Sequence, residues 1–205
     1  LPNLRKNLNV RMLSRNRSVS APDLYQLKSV HGCGNGIDSL AQMISKFTGT
    51  AADIPSFGGL KLRSFCNKYP EDFDDENNLS LVTILSWPNF KICFPGDMEK
   101  AGWKKLLENQ NFRAAMSDLN VLVASHHGRE SGRCDELFSE TGLRPNLIVV
   151  SDGAIQFKSQ ETINWYGTKA IGCEYNGRNR SVLSTRNDGK INFEIGPNGA
   201  TFSTG

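Results

Sequence analysis

Two stretches of this 205-residue chain place chemically capable side chains at the ends of apolar runs: FKICFPGDMEK (90–100) and NVLVASHHGRE (120–130). The first stops in Pro95-Gly96-Asp97. The second stops in Ser125-His126-His127-Gly128 and holds two of the chain's three histidines. In layered α/β proteins, functional groups gather where strands give out into loops, because the sheet holds the loop bases rigidly. If these two strands lie close in one sheet, Asp97 and His126 converge on one point. A carboxylate and a neutral imidazole are suitable ligands for zinc or another first-row divalent ion, at about 2.0–2.2 Å. A carboxylate can also bridge two ions that together polarise a phosphoryl or acyl oxygen and activate a water nucleophile. Gly96 and Gly128 permit the tight turns that would aim these side chains. Other readings stand beside this one. Pro-Gly-Asp is a common turn, Asp97 also suits the N-cap of a following helix, and two donors fall short of the three that a catalytic zinc takes from protein. The third histidine, His31 in the Gly-rich SVHGCGNG, reads as a loop residue.

The elements that must position these groups follow from periodicity. Ile37, Leu40, Met43, Ile44 and Phe47 recur at helical spacing, and ADIPSFGG (52–59) breaks that helix. LKLRSF (60–65) alternates as a strand, and the acidic loop PEDFDDENN (70–78) follows it. SLVTILSW (80–87) and FKICF (90–94), turned by Pro88-Asn89, form a hairpin. Met98, Trp103, Leu106 and Leu107 suit an amphipathic helix continued by NFRAAMSDL. VLVAS (121–125) and LIVVSD (147–152) are buried strands, separated by a short helix over 134–142 that Gly142 ends. A helix is expected in the first half of 160–171. SVLSTR and KINFEIG flank Asn187-Asp188-Gly189, a hairpin-turn signal. Sheet layers covered by helices result, an α/β (α+β) class.

Composition limits the alternatives. Five scattered cysteines contain no Cys-x-x-Cys, so neither a zinc ribbon nor a disulfide framework is indicated, and a reducing, cytoplasmic setting is the default. No apolar run reaches the roughly 20 residues of a membrane span. Residues 1–22 carry five basic residues and no acid, which leaves 19 basic against 21 acidic residues in 23–205. The chain therefore divides into a basic N-terminal arm (1–22), able to hold phosphates, and the remainder (23–205). A solvated arm or the torn edge of a larger domain is the plainer reading. Leu1 stands where a Met would begin a chain, so an upstream segment is expected to have been removed.

NNLSLVTILSW, FKICFPGDMEKAGWKKLL, LNVLVASHHGRES, RPNLIVVSDG and SVLSTRNDGKINFEI, in that order over residues 77–194, resemble the metallo-β-lactamase superfamily. More narrowly, they are similar to the hydrolase domain of the ComEC competence family. The resemblance implies a four-layer αβ/βα sandwich of which these residues are the C-terminal part, with the metal site along one edge. It implies that Asp97 bridges two metal ions, zinc or manganese, and that His126 is the last ligand. His127 and Ser125 would stand behind the ligands or touch substrate. Family members hydrolyse esters, amides or phosphodiesters, and the ComEC-like branch is associated with nucleic-acid cleavage.

Three departures qualify the likeness. His-x-His-x-Asp-His, the first ligand cluster, is absent. Arg129 stands where Ser usually follows His-His-Gly. AIQFKSQET (154–162) replaces a histidine-bearing stretch. The expectation is a metal-dependent hydrolase, phosphodiesterase or nuclease, completed by a cleaved N-terminal segment or a second chain, with Arg129 neutralising phosphate; Arg133 reads as a plain surface arginine. A degenerate, metal-free module that binds nucleic acid or protein on the same fold is the alternative. Half a sandwich would expose a sheet face, so the chain is not expected to act alone.

Overall fold

A computed structural model of the chain describes residues 1–29, 32–49, 57–155 and 158–205. The reading of His31 and part of that of 52–59 fall outside these residues. The elements run α1 (Pro2–Asn7), α2 (Ala21–Lys28), α3 (Asn35–Lys46), β1 (Lys61–Phe65), β2 (Val82–Trp87), β3 (Phe90–Phe94), α4 (Lys100–Leu107), α5 (Gln110–Met116) and β4 (Val121–Val123). They continue with α6 (Asp135–Thr141), β5 (Leu147–Val150), α7 (Ile163–Gly167), β6 (Cys173–Tyr175), β7 (Arg178–Arg180), β8 (Val182–Ser184), α8 (Thr185–Asp188), β9 (Ile191–Gly196) and β10 (Gly199–Thr204). The class is α/β.

Six strands form the main sheet in the order β1-β2-β3-β4-β5-β8. The β2–β3 hairpin pairs antiparallel, as its Pro88-Asn89 turn requires, and β3, β4, β5 and β8 then run parallel. Parallel neighbours need crossovers over a face of the sheet; α4 and α5 lie in the first, α6 in the second and α7 in the third. Their apolar sides meet Val82, Ile84, Cys93, Leu122, Ile148 and Val150 in one core built around Trp103, Phe112 and Met116. The opposite faces of the same strands present Phe90, Ile92, Val121, Leu147, Val149 and Leu183 to a second core. Phe193, Ile195 and Phe202 of the β9–β10 hairpin close that core from the other side. Strands buried on both faces must be apolar throughout, which is why β5 reads Leu-Ile-Val-Val and is buried at every position. Polar chemistry is left to the strand tips.

Asn187-Asp188-Gly189 does not turn a hairpin. The Ser184 hydroxyl accepts from the Asn187 amide at 3.2 Å, and the Asp188 carboxylate accepts from the Ser184 amide at 2.8 Å and from Arg180 at 2.7 Å. These bonds wind 185–188 into one helical turn, α8. β8 therefore joins the main sheet beside β5, while β9 pairs with β10 across Pro197-Asn198. The N-terminal segment is also more engaged than its charge pattern indicates. Arg5 reaches Ser39 and Gln42, Arg15 bonds the carbonyls of Asn16 and Val19, and Arg17 bonds that of Thr48. Asn16 donates to the carbonyls of Asn67 and Leu79, at 2.8 and 3.1 Å. Position 22 falls inside α2.

Gly102 tests the packing that supports the strand tips. A Gly inside an exposed helix costs about 1 kcal/mol relative to Ala. Here, however, a Cβ would stand 2.3 Å from Met98 Sδ and 2.6 Å from Asn78 Oδ1, the atom that accepts the Gly102 amide. Gly102→Ala should therefore lower stability by about 1–3 kcal/mol, or roughly 2–4 °C of Tm per kcal/mol. A calorimetric Tm at or above wild type would show that Met98 and Asn78 have room to yield.

Candidate functional site

The two apolar runs end side by side. β3 and β4 pair in parallel register, Ile92 with Val121 and Cys93 with Leu122. Beyond the strands the ladder continues for one more bond, His126 N–H to the Gly96 carbonyl at 3.0 Å. The Ser125 hydroxyl donates to the Met98 carbonyl, and the Asp97 amide donates to Ser80 Oγ at 3.1 Å. The loop after β3 is thus tied both to the tip of β4 and to the start of β2. Ser125 is buried in this tie.

Asp97 does not cap α4. The helix begins at Lys100 with Glu99 as N-cap, and no side chain caps its amides. Met98, fully buried, pins the middle of Asp-Met-Glu, and the flanking carboxylates reach the two histidines. His127 Nε2 lies 3.5 Å from Asp97 Oδ1, and His126 Nδ1 lies 3.1 Å from Glu99 Oε1. The imidazole beside Asp97 is that of His127. The resemblance assigns this neighbourhood to His126, whose ring points to Glu99 and to Ser131 Oγ, 2.9 Å away. Asn77 steadies Glu99 by donating to the same carboxylate oxygen at 3.2 Å.

The partners fix the histidine tautomers. His127 Nδ1 stands 2.8 Å from the Ser151 carbonyl, which can only accept, so Nδ1 carries the hydrogen. The neutral ring then offers a bare lone pair at Nε2, facing a carboxylate oxygen. A proton, a water molecule or a metal ion between two facing acceptors relieves their repulsion. Two ligands sharing a tetrahedral ion at about 2.0–2.2 Å stand roughly 3.4 Å apart. The spacing suits a shared metal ion. Both side chains are open to solvent, His127 56% and Asp97 45% exposed, so a further ligand or a substrate has access. At His126 the Glu99 carboxylate likewise calls for a hydrogen on Nδ1 and leaves Nε2 bare. A metal-binding histidine generally gives its other ring N–H to a carboxylate or carbonyl, and both rings follow that pattern.

The backbone that aims these rings is unusual. His126 and His127 both lie in the left-handed region, with φ of 49° and 55°, and Gly128 follows at 72°. A Cβ on Gly128 would stand 2.8 Å from Val150 Cγ1, and its carbonyl accepts from the Thr162 hydroxyl. Two consecutive left-handed side-chain-bearing residues cost about 1–2 kcal/mol each, and such conformations cluster at ligand and active sites. Among the described residues, no cluster of three or more His, Cys, Asp or Glu is arranged to hold a metal ion. Asp97 and His127 are two donors at a common point. Arg133 forms an ion pair with Glu130 at 3.7 Å and lies over the Trp165 ring, 4.7 Å from its centroid, consistent with a surface arginine. Arg129 is half-buried beside Gly128. Glu99, Asn77, Ser80, Ser131 and Ser151 escape a reading by motif. Only the Asp-Met-Glu alternation around a core methionine signals any of them in advance.

No known family model matches this chain, and no curated protein matches it.

The strain at His127 can be measured directly. His127→Gly should be more stable than His127→Ala by about 0.5–1 kcal/mol, the left-handed penalty less the extra unfolded-state entropy of glycine. Urea unfolding of the two variants gives the difference. The opposite order would show that residue 127 is not held at positive φ.

Proposed function

We propose that this chain is part of a metal-dependent hydrolase, a phosphodiesterase or nuclease, in which Asp97 and His127 hold a divalent ion together with ligands from outside these 205 residues. The observation that carries the reading is the pair of facing acceptors, Asp97 Oδ1 and His127 Nε2, 3.5 Å apart at the tips of adjacent parallel strands. The carboxyl ends of parallel strands are where open α/β sheets place their ligands. The likeness of the five sequence blocks to the ComEC-like branch of the metallo-β-lactamase superfamily supports the same reaction class. That likeness also suggests that a cleaved segment or second chain supplies the remaining ligands and further sheet.

Zinc is the first candidate for an imidazole–carboxylate pair and manganese the second. Either, when bound, would polarise a phosphoryl oxygen and lower the pKa of a water molecule. The chain's own residues do the positioning. Ser80 fixes the Asp97 backbone, the Ser151 carbonyl sets the His127 tautomer, and Glu99 with Asn77 and Ser131 orients His126 as a second imidazole at the rim. Arg129 is the cation nearest in sequence for a phosphate oxygen.

The test uses the complete assembly isolated from its source. Elemental analysis should find zinc or manganese, and Asp97→Ala and His127→Ala should each abolish cleavage of a single-stranded or duplex nucleic acid. Because both side chains are exposed, Tm should stay within about 2 °C. Undiminished cleavage by Asp97→Ala would reject the assignment.

A further inference from the structure

Next to the candidate site lies a buried pair of charges. The Asp152 carboxylate is 1% exposed, and its Oδ2 stands 2.7 Å from Nη1 of Arg186. Replacing such a pair by apolar side chains is often neutral or stabilising, so stability gives little reason to keep it. Its position gives another reason. β5 and β8 pair in parallel as far as Val150 and Ser184, and there both strands end. One step further, Thr185 Oγ1 accepts from the Asp152 amide at 2.9 Å and donates to the Asp152 carbonyl at 2.7 Å. A side chain thus supplies the next rung of the ladder after the backbone has stopped. Arg186, immediately after Thr185, reaches back to the Asp152 carboxylate and completes this clamp as an ion pair, close in distance but without hydrogen-bond alignment.

The residue before Asp152 is Ser151, whose carbonyl takes the Nδ1 hydrogen of His127 at 2.8 Å. The tips of β8, β5, β4 and β3 are therefore joined in sheet order: Thr185 and Arg186 hold Asp152, Ser151 holds His127, and His127 faces Asp97. Ser151 itself is exposed, and without the clamp its peptide would be free to rotate. We infer that Asp152, Thr185 and Arg186 are positioning residues that hold the Ser151 carbonyl against His127 Nδ1 and so keep the Nε2 lone pair directed at Asp97. The inference rests on the proposed metal-binding role of His127. A partner fixing the far nitrogen of a metal-binding histidine is worth about 10–100-fold in metal affinity, and the clamp acts one residue behind that partner.

The experiment reads the tautomer itself. Long-range nitrogen–proton NMR of the neutral His127 ring should show Nδ1 protonated and Nε2 bare in the wild-type chain. Thr185→Val, close in shape but unable to make either bond, should shift the ring towards a mixture of tautomers. It should also weaken binding of Zn²⁺ alone, measured on the complete assembly after metal removal, by about 10-fold or more. Removing one buried charge risks unfolding, so the second variant is the double change Asp152→Asn with Arg186→Gln, which removes both. An unchanged His127 tautomer in both folded variants would overturn the inference, as would a wild-type ring already protonated at Nε2. A tautomer shift in the variants with no zinc bound by any form supports the clamp and instead rejects the metal-binding reading of the site.

Discussion

The hydrogen-bond ladder of the four parallel strands has to end, and most of the site follows from how it ends. Inside the sheet backbone amides and carbonyls pair between neighbouring strands, and the side chains face two apolar cores. At the carboxyl tips the partners run out while the chain is still half-buried, and an unpaired buried polar group is costly. Side chains take over. Ser80 serves Asp97, Ser125 serves Met98, Thr162 serves Gly128, Thr185 serves Asp152 and His127 serves Ser151. The polar residues at the tips are first of all substitutes for missing strand partners, and their geometry is inherited from the sheet.

That inheritance explains why His126 and His127 diverge. After Ser125 the chain must leave the sheet at once, because Gly128 has to pass against Val150 with no room for a Cβ. Two left-handed residues make the exit, and they send neighbouring rings to different carboxylates, His126 to Glu99 and His127 to Asp97. Strain of this kind persists only where surrounding structure over-determines it. Here the Ser125, Gly128 and Ser151 contacts hold the turn from three sides.

Much of the architecture was legible from residue order. The β2–β3 hairpin, the helices around Trp103 and Phe112, the two apolar strands and the stop at Gly142 all follow from periodicity and turn chemistry, which are local properties. The misreadings occur where a local signal met a stronger contact. Asn187-Asp188-Gly189 has the composition of a hairpin turn, but the Asp188 side chain bonds Ser184 and Arg180 and curls the segment into a helical turn. Asp97 has the composition of an N-cap, yet with Met98 buried the helix starts two residues later, at an N-cap of Glu99, and leaves the Asp97 carboxylate partly exposed.

By itself the sequence determined that polar groups would stand at the ends of two strands, since alternation and apolar runs dictate where a chain is buried and where it must emerge. It also determined that a carboxylate and an imidazole were available there. Only the tertiary structure decided that β3 and β4 are neighbours, that His127 is the ring beside Asp97, and that a Ser151 carbonyl three strands' width from Asp97's own hairpin partner fixes which nitrogen is bare. Those outcomes depend on strand order and on backbone angles at two consecutive residues. Neither is encoded in any window of sequence short enough to read, because each is set by contacts between residues 24 to 34 positions apart.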